Sequence, residues 1–275
     1  MGLITNLPSA TRFDSDGIIV ADGSSGTKKI SVQNAARDLA GMVSAMQHRN
    51  VYGGRNLGST VTAAQLAAIS DGSFDGLFVG DYWTINGVQW VIADMNYFYN
   101  CGDTAFTKNH LVIVPATTLY SHVMNDSNTT TGGYVGSKMY TEGLDEAKTR
   151  FAAAFGSEHI LSHRDYLVNA VTDGYPSARA WYDSTVELMN EVMVYGARHW
   201  SSMNKGTTNV NNYTTGKQQL ALFQLNPRMV NIRSWYWLRD VVSSAYFAGV
   251  GGNGLAVYNG AGSSGGVRPY AVIGV

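Results

Sequence analysis

Apolar and polar residues alternate most clearly from Asp81 to Met95, DYWTINGVQWVIADM, in two runs on either side of Asn86 and Gly87. Asn-Gly accepts the left-handed backbone of a two-residue turn, so the stretch predicts a β-hairpin packed through Trp83, Ile85, Val88, Trp90 and Ile92. Ahead of it, GIIVADGSSGTKKISV predicts two short strands about a Gly/Ser turn, with Ser31 placed to cap a helix. From there Val32, Ala35, Ala36, Leu39, Val43 and Met46 recur at helical spacing as a narrow stripe. A stripe of that width suits packing against copies of itself or another protein, and also suits an ordinary helix folded back on the main body. The pattern lapses in HRNVYGGRNLGS, His48 to Ser59, which reads as a linker and divides the chain into units 1–58 and 59–275.

Beyond the linker, Thr62 to Ile69 predicts a short helix and His110 to Pro115 a buried strand. Residues 118–140 read as a polar loop between aromatic anchors. Asp145 to Phe155 predicts a helix stopped by Gly156, and His159 to Val168 a strand. Trp181 to Gly196 starts as a strand and passes into a helix near Asn190; a polar stretch from Asn204 to Gln218 then precedes LALFQL, read as a short apolar strand. At the C-terminal end, Trp235, Trp237, Leu238 and Arg239 on one side, and Val267, Arg268, Pro269, Tyr270, Val272 and Ile273 on the other, have the pattern of two half-buried strands. This mixture of short strands, modest helices and long loops is α+β.

Between those last two strands, Val241 to Gly266 holds almost only Gly, Ser, Ala, Val, Asn and Tyr. A segment so rich in glycine cannot build its own core and loses much backbone entropy when ordered, so the flanking strands must hold it. A flexible surface loop is one reading. Against it stand Tyr246, Phe247, Leu255, Val257 and Tyr258, because a solvated linker has no use for them. Tyr, Ser, Gly and Asn together are also the composition of antibody paratopes, where tyrosine supplies rigid contact area and small residues adapt.

Composition narrows the function classes. A net charge of −1 with 14% charged residues over 275 residues gives no basic footprint for nucleic acid and no polybasic patch for a membrane surface. The longest apolar runs, such as HLVIVPA, are too short to span a bilayer, and the first residues lack the regions of a signal peptide, so a soluble protein made in the cytoplasm is expected. Cys101 stands alone, which removes an intrachain disulfide and a thiolate metal cluster and leaves a core thiol as its expected role. With 31 Gly and 16 Tyr, the chain suits a turn-rich, aromatic fold rather than a helical bundle.

Catalytic and metal chemistry finds little support. His163, Arg164 and Asp165 spell the protein-kinase catalytic-loop triplet, but no Gly-rich phosphate loop, lysine strand or DFG sequence accompanies it. Glu187 and Glu191 offer a glycosidase-like carboxylate pair, or two charges with a structural role. His110, His122, His159 and His163 lack the spacing that fixes a metal site. Leu225, Asn226, Pro227 and Arg228, with Trp235 to Trp237, are the nearest text to a calcium-lectin signature, without its carboxylates. No catalytic residue, metal or cofactor is expected.

The frame WYWLRD, followed some twenty-five residues later by GVRPYAVI, resembles the C-terminal end of the variable proteins of diversity-generating retroelements, of the phage and prophage receptor-binding type. The resemblance extends from about Asp71 onward through GDYWTINGVQWVIAD, LYSHVMND, AFGSEHILSHRDYL and WYDSTVELMNEVMVYG. It implies a C-type-lectin-like domain of the formylglycine-generating-enzyme-like subtype, preceded by a small hairpin-plus-helix unit. The oxidases that share that fold use cysteines for catalysis, and a single Cys101 does not supply them. In the family, adenines are miscopied at Asn codons; with a pyrimidine in third place these cannot yield Trp, Met, Gln, Lys or Glu. None of the five occurs from Val241 to Val267.

The resemblance implies a variable region at about 240–267 with ligand contacts at Tyr246, Gly249, Gly251, Gly252, Asn253, Leu255, Val257, Tyr258, Asn259, Gly260, Ser263 and Gly265. Trp235, Trp237, Arg239, Phe247 and Arg268 would form the scaffold of the site. Phe247, Val250, Gly254 and Ala256 would face inward or turn the chain. It further implies a homotrimer, attached to a virion tail or other surface structure through the N-terminal unit, that binds a bacterial cell-surface protein or glycan without nucleic acid or membrane insertion. A virion decoration protein with a fixed neighbour and a cell-wall hydrolase are the alternative readings.

Overall fold

The computed structural model describes residues 18–23, 26–31, 35, 48–201 and 218–275. The leader at residues 1–14, the helix expected from Val32 to Met46 apart from Ala35, and the polar stretch from Asn204 to Gln218 apart from its last residue lie outside the described residues. Strands β1 (Ile18–Gly23) and β2 (Gly26–Ser31) pair antiparallel from Ile18↔Ser31 to Gly23↔Gly26, the hairpin that the sequence predicts.

In chain order there follow α1 (Ala63–Ser70), β3 (Tyr82–Ile85), β4 (Val88–Met95), β5 (His110–Pro115) and β6 (Tyr120–His122). Next come α2 (Asp145–Phe155), β7 (His163–Thr172), β8 (Tyr175–Ser184), β9 (Val186–Leu188), α3 (Glu191–Tyr195) and α4 (Ala221–Leu225). The last five strands are β10 (Tyr236–Val241), β11 (Tyr246–Val250), β12 (Ala256–Gly260), β13 (Gly265–Val267) and β14 (Pro269–Gly274). The chain is mixed α+β. One five-stranded sheet has the order β3-β4-β5-β14-β9, a second the order β12-β11-β10-β13-β6, and β7 pairs with β8. Among the described residues no helix is long and apolar enough to cross a membrane.

The β3–β4 hairpin turns at Asn86 and Gly87, with φ of 53° and 77°, the left-handed pair that the Asn-Gly signal demands. Its Trp90 packs on Phe151 at 4.5 Å and Trp83 lies edge-on to Phe155 at 6.0 Å. Ala147, Phe151 and Phe155 fall four residues apart on α2, so one helix stripe covers the hairpin. Each such buried aromatic contributes roughly 1.5–3 kcal/mol. Gly156, at φ 83°, ends α2 as expected. Thr62 caps α1 in a capping box with Gln65.

Several expectations are corrected. The stretch from His48 to Ser59 is not a free linker: Tyr52 and Asn56 bridge to Val79 and Tyr82, and Arg49 pairs with the buried Asp94 of β4. The carboxylate of Asp94 also accepts the backbone N–H of Ala221, tying α4 to the same strand. Leu220–Leu225 therefore forms helix α4 rather than a strand. Leu220, Ala221, Leu222 and Phe223 are all buried, and four consecutive buried apolar residues read the same in a short helix as in a buried strand. The strand expected from His159 begins at His163 and runs on to Thr172, where Asp173 and Gly174, both at positive φ, turn it into β8. Finally, β10 and β14 are almost wholly buried rather than half buried, because β10 lies within one sheet and β14 within the other.

Candidate ligand-binding face

Strands β13 and β14 belong to different sheets and are separated only by Arg268. Its side chain is fully buried at that junction: Nε donates to Pro115 O at 2.9 Å, and Nη1 donates to Met229 O at 2.9 Å and to the Tyr236 hydroxyl at 3.2 Å. The rings of Tyr236 and Phe223 lie 5.2 and 5.6 Å from the guanidinium carbon. One arginine thus fastens the end of β5, the start of β10 and α4 together.

On β10, Arg239 makes a two-pronged pair with Asp165 at 2.8 and 3.0 Å, and Tyr270 of β14 donates to the same carboxylate at 2.6 Å. Burial alone would raise the Asp165 pKa, but the Arg239 charge and the bond from His163 hold it well below the usual carboxylate range. Since the Tyr270 proton goes to Asp165, His163 Nε2 is the donor in its 3.2 Å contact with the Tyr270 oxygen. Trp237, also buried, donates from Nε1 to His122 O at 2.9 Å and stands edge-on to Trp235 at 4.9 Å. These groups make β10 a fixed rail.

The small-residue run is laid along that rail. β11 pairs antiparallel with β10, and β12 with β11 from Tyr246↔Gly260 to Val250↔Ala256. Phe247 and Val250 are fully buried and Gly254 turns the chain at φ 86°. Of the twelve expected contact positions, Tyr246, Asn253, Leu255 and Tyr258 are exposed, and Gly252, Val257, Asn259, Gly260 and Ser263 are partly so. Gly249, Gly251 and Gly265 are buried. A Cβ at Gly265 would enter the ring of Trp235, and one at Gly249 would meet the Tyr236 carbonyl oxygen at 2.9 Å. At Gly251 and Gly260 the obstruction is the side-chain oxygen of Asn253 and of the exposed Asn128, while at Gly252 the nearest atom is an ordinary 3.4 Å away.

Other parts of the chain frame this run. Thr130 binds the β10–β11 turn through Ser243 O and Ser244 O, Asn125 N donates to Ala261 O, and Asn128 accepts from Gly262 N. On the far side, Gly196 at φ 77° ends α3 and sends residues 197–201 toward β12. Glu191, fully buried, accepts the backbone N–H groups of His199, Trp200 and Ser201 at 3.1, 2.9 and 2.9 Å, which fixes that loop. Trp200 donates from Nε1 to Ala256 O at 2.9 Å and lies edge-on to Tyr258 at 4.8 Å; Tyr258 in turn meets Tyr246 at 5.3 Å. An open cleft of about 410 Å³ lies between Tyr195, His199, Trp200, Gly254, Leu255 and Ala256. Reading the sequence missed Trp200, His199 and Tyr195. The available signal was a tryptophan at the start of a polar stretch with no apolar neighbours to bury it.

The candidate chemical groups are dispersed. Glu187 accepts from Tyr134 at 2.7 Å and from Ser184 at 3.1 Å, and Glu191 is taken up by the 199–201 loop, so each carboxylate holds local structure. Burial, reinforced by the nearby Asp165 charge, pushes Glu187 up to about 7. His110 sits between Phe98 N and Lys108 O, and burial lowers it to about 4. His122 contacts Val123 O, His159 Gly274 O and His163 Tyr270. Among the described residues no group of three or more His, Cys, Asp or Glu is placed to hold a metal ion. Comparison with family models, curated proteins and solved structures gives no match.

Proposed function

We propose that the chain is a receptor-binding protein of a phage or prophage, with a C-type-lectin-like domain of the formylglycine-generating-enzyme-like subtype. Its face on β11, β12 and their turns is diversified by a retroelement and binds a bacterial cell-surface target. The N-terminal unit makes a homotrimer and attaches it to a tail or other virion structure. Linked copies of one weak site then raise avidity by roughly two to four powers of ten.

The observation that carries the reading is the backbone of the glycines. Gly249, Gly251, Gly252, Gly260 and Gly265 all lie outside the left-handed region, whereas the framework residue Gly254 has φ 86°. Backbone angles therefore require glycine only at the framework position, and at the other five φ itself admits an L residue. The ladder to the buried β10 supplies the shape that the small residues cannot. Exchange is sterically open at Gly252, open with a neighbouring side chain displaced at Gly251 and Gly260, and closed at Gly249 and Gly265.

The test is a library varied at Tyr246, Gly251, Gly252, Leu255, Tyr258 and Gly260 and displayed on the full chain. The expected outcome is altered target choice with unchanged melting temperature. Library members that unfold, or that bind as the parent does, count against it. A near-copy of the last coding stretch beside the gene, differing almost only at adenines, is the matching genomic observation. The closed sites at Gly249 and Gly265 favour a second reading, a virion decoration protein with a fixed neighbour, for which no such copy exists.

A further inference from the structure

Resting on the receptor-binding reading, we propose that the cleft beside Trp200 is a subsite for an uncharged pyranose unit of a neutral surface glycan, with Trp200, Tyr258 and Tyr246 forming an aromatic rim against which the adjoining units pack. The cleft, at about 410 Å³, falls within the range of roughly 300–1,000 Å³ typical of small-ligand sites. Among the described residues its lining includes no carboxylate, lysine or arginine, and those residues offer an ionic ligand no fixed counter-charge. The polar atoms of its aromatic walls are already engaged: Trp200 Nε1 donates to Ala256 O, and the Tyr195 hydroxyl donates to Gly254 O at 3.1 Å. What remains for a ligand is ring surface, hydroxyl lone pairs and the His199 imidazole. A pyranose matches that set, with a face of C–H bonds for the rings and hydroxyls at its edge for the rim.

The three rings follow one another at 4.8 and 5.3 Å, each edge-on to the next at 69°, so they form a stepped aromatic rim rather than one flat platform. The rim is also preformed where it is described, because Glu191 holds the backbone on which Trp200 sits. Trp200 is 46% exposed and Leu255 64%, so the rings and the cleft wall are open to solvent.

The full chain is applied to an array of bacterial surface polysaccharides, neutral and acidic. The expected result is binding to neutral polysaccharides that added salt leaves unchanged. Trp200→Ala or Tyr258→Ala then weakens it about tenfold or more, and Trp200→Phe, which keeps a ring, recovers most of the loss. Melting temperatures within a few degrees of the parent show that a loss is local. Three results overturn the proposal: no polysaccharide bound, acidic polysaccharides bound in a salt-sensitive way, or Trp200→Ala without effect. Binding to a bacterial surface that survives periodate and is destroyed by protease also overturns it, yet leaves the receptor-binding reading standing. Absence of binding to any bacterial surface removes both.

Discussion

Strands β10 and β11 are hydrogen-bonded neighbours built on opposite principles. β10 carries Tyr236, Trp237, Leu238 and Arg239, all buried, with the arginine locked to Asp165. The run that continues into β12 offers mostly Gly, Ala, Val and Asn; Phe247, Ala248 and Val250 of β11 are buried, and β12 is partly exposed. The bulky strand supplies rigidity, β11 is buried against it apart from Tyr246, and β12 with its turn supplies the surface. The contrast teaches that an outer strand can be held in register through a small-residue neighbour, which frees the outer strand's own side chains from packing.

The sharpest way to break that contrast is at the rail. Asp165→Ala leaves the Arg239 guanidinium buried without its partner, and the expected cost is about 3–5 kcal/mol in urea unfolding. A cost below about 1 kcal/mol would mean that the pair does not fix β10. Next in size is the pH response of Glu187. Its pKa is raised from 4.5 to about 7 on folding, so its contribution is full below about 4.5 and is lost as the pH rises through 7. The expected loss is of the order of 2–3 kcal/mol. Stability measured from pH 4.5 to 8 falls for the parent relative to Glu187→Gln, and parallel curves would refute the assignment. Asp165 has the opposite sign: its lowered pKa gives stability that is present above about 3.8 and lost on acidification.

Smaller effects separate glycines on the face itself. Gly265→Val forces Trp235 aside and costs about 1–3 kcal/mol. Gly252→Ser, with ordinary contacts around the new Cβ, changes stability by no more than about 0.5 kcal/mol. Equal effects at the two positions would erase the distinction between closed and open sites.

Local signals in the sequence carried much of the fold. Asn86-Gly87 marks its hairpin, Thr62 stands at the start of α1, and Gly156 marks the end of α2. The turn at Asp173-Gly174 has the same kind of signature, and it starts β8 at Tyr175, ahead of the Trp181 start that the sequence pattern suggests. Elsewhere the deciding contact was distant. Leu220–Leu225 is helical under Asp94, more than a hundred residues away, and His48 to Ser59 is docked by Val79, Tyr82 and the same Asp94. In the site, the identity of the small residues was legible, but which of them lie against Trp235 or the Tyr236 carbonyl depends on the pairing of β10 with β11 and β13. Trp200 reaches the face only through Glu191, a pairing no local spacing reveals.

The placement of β14 has a consequence for translation. That strand lies between β5 and β9, yet the ribosome makes it after every residue of β11 and β12. A base gained or lost while those strands are encoded garbles the codons for Tyr270, Val272 and Ile273 downstream, and β5 and β9 are left without the strand between them. Under the proposed diversification, a substitution on the face leaves β14 intact, whereas a frameshift there removes it.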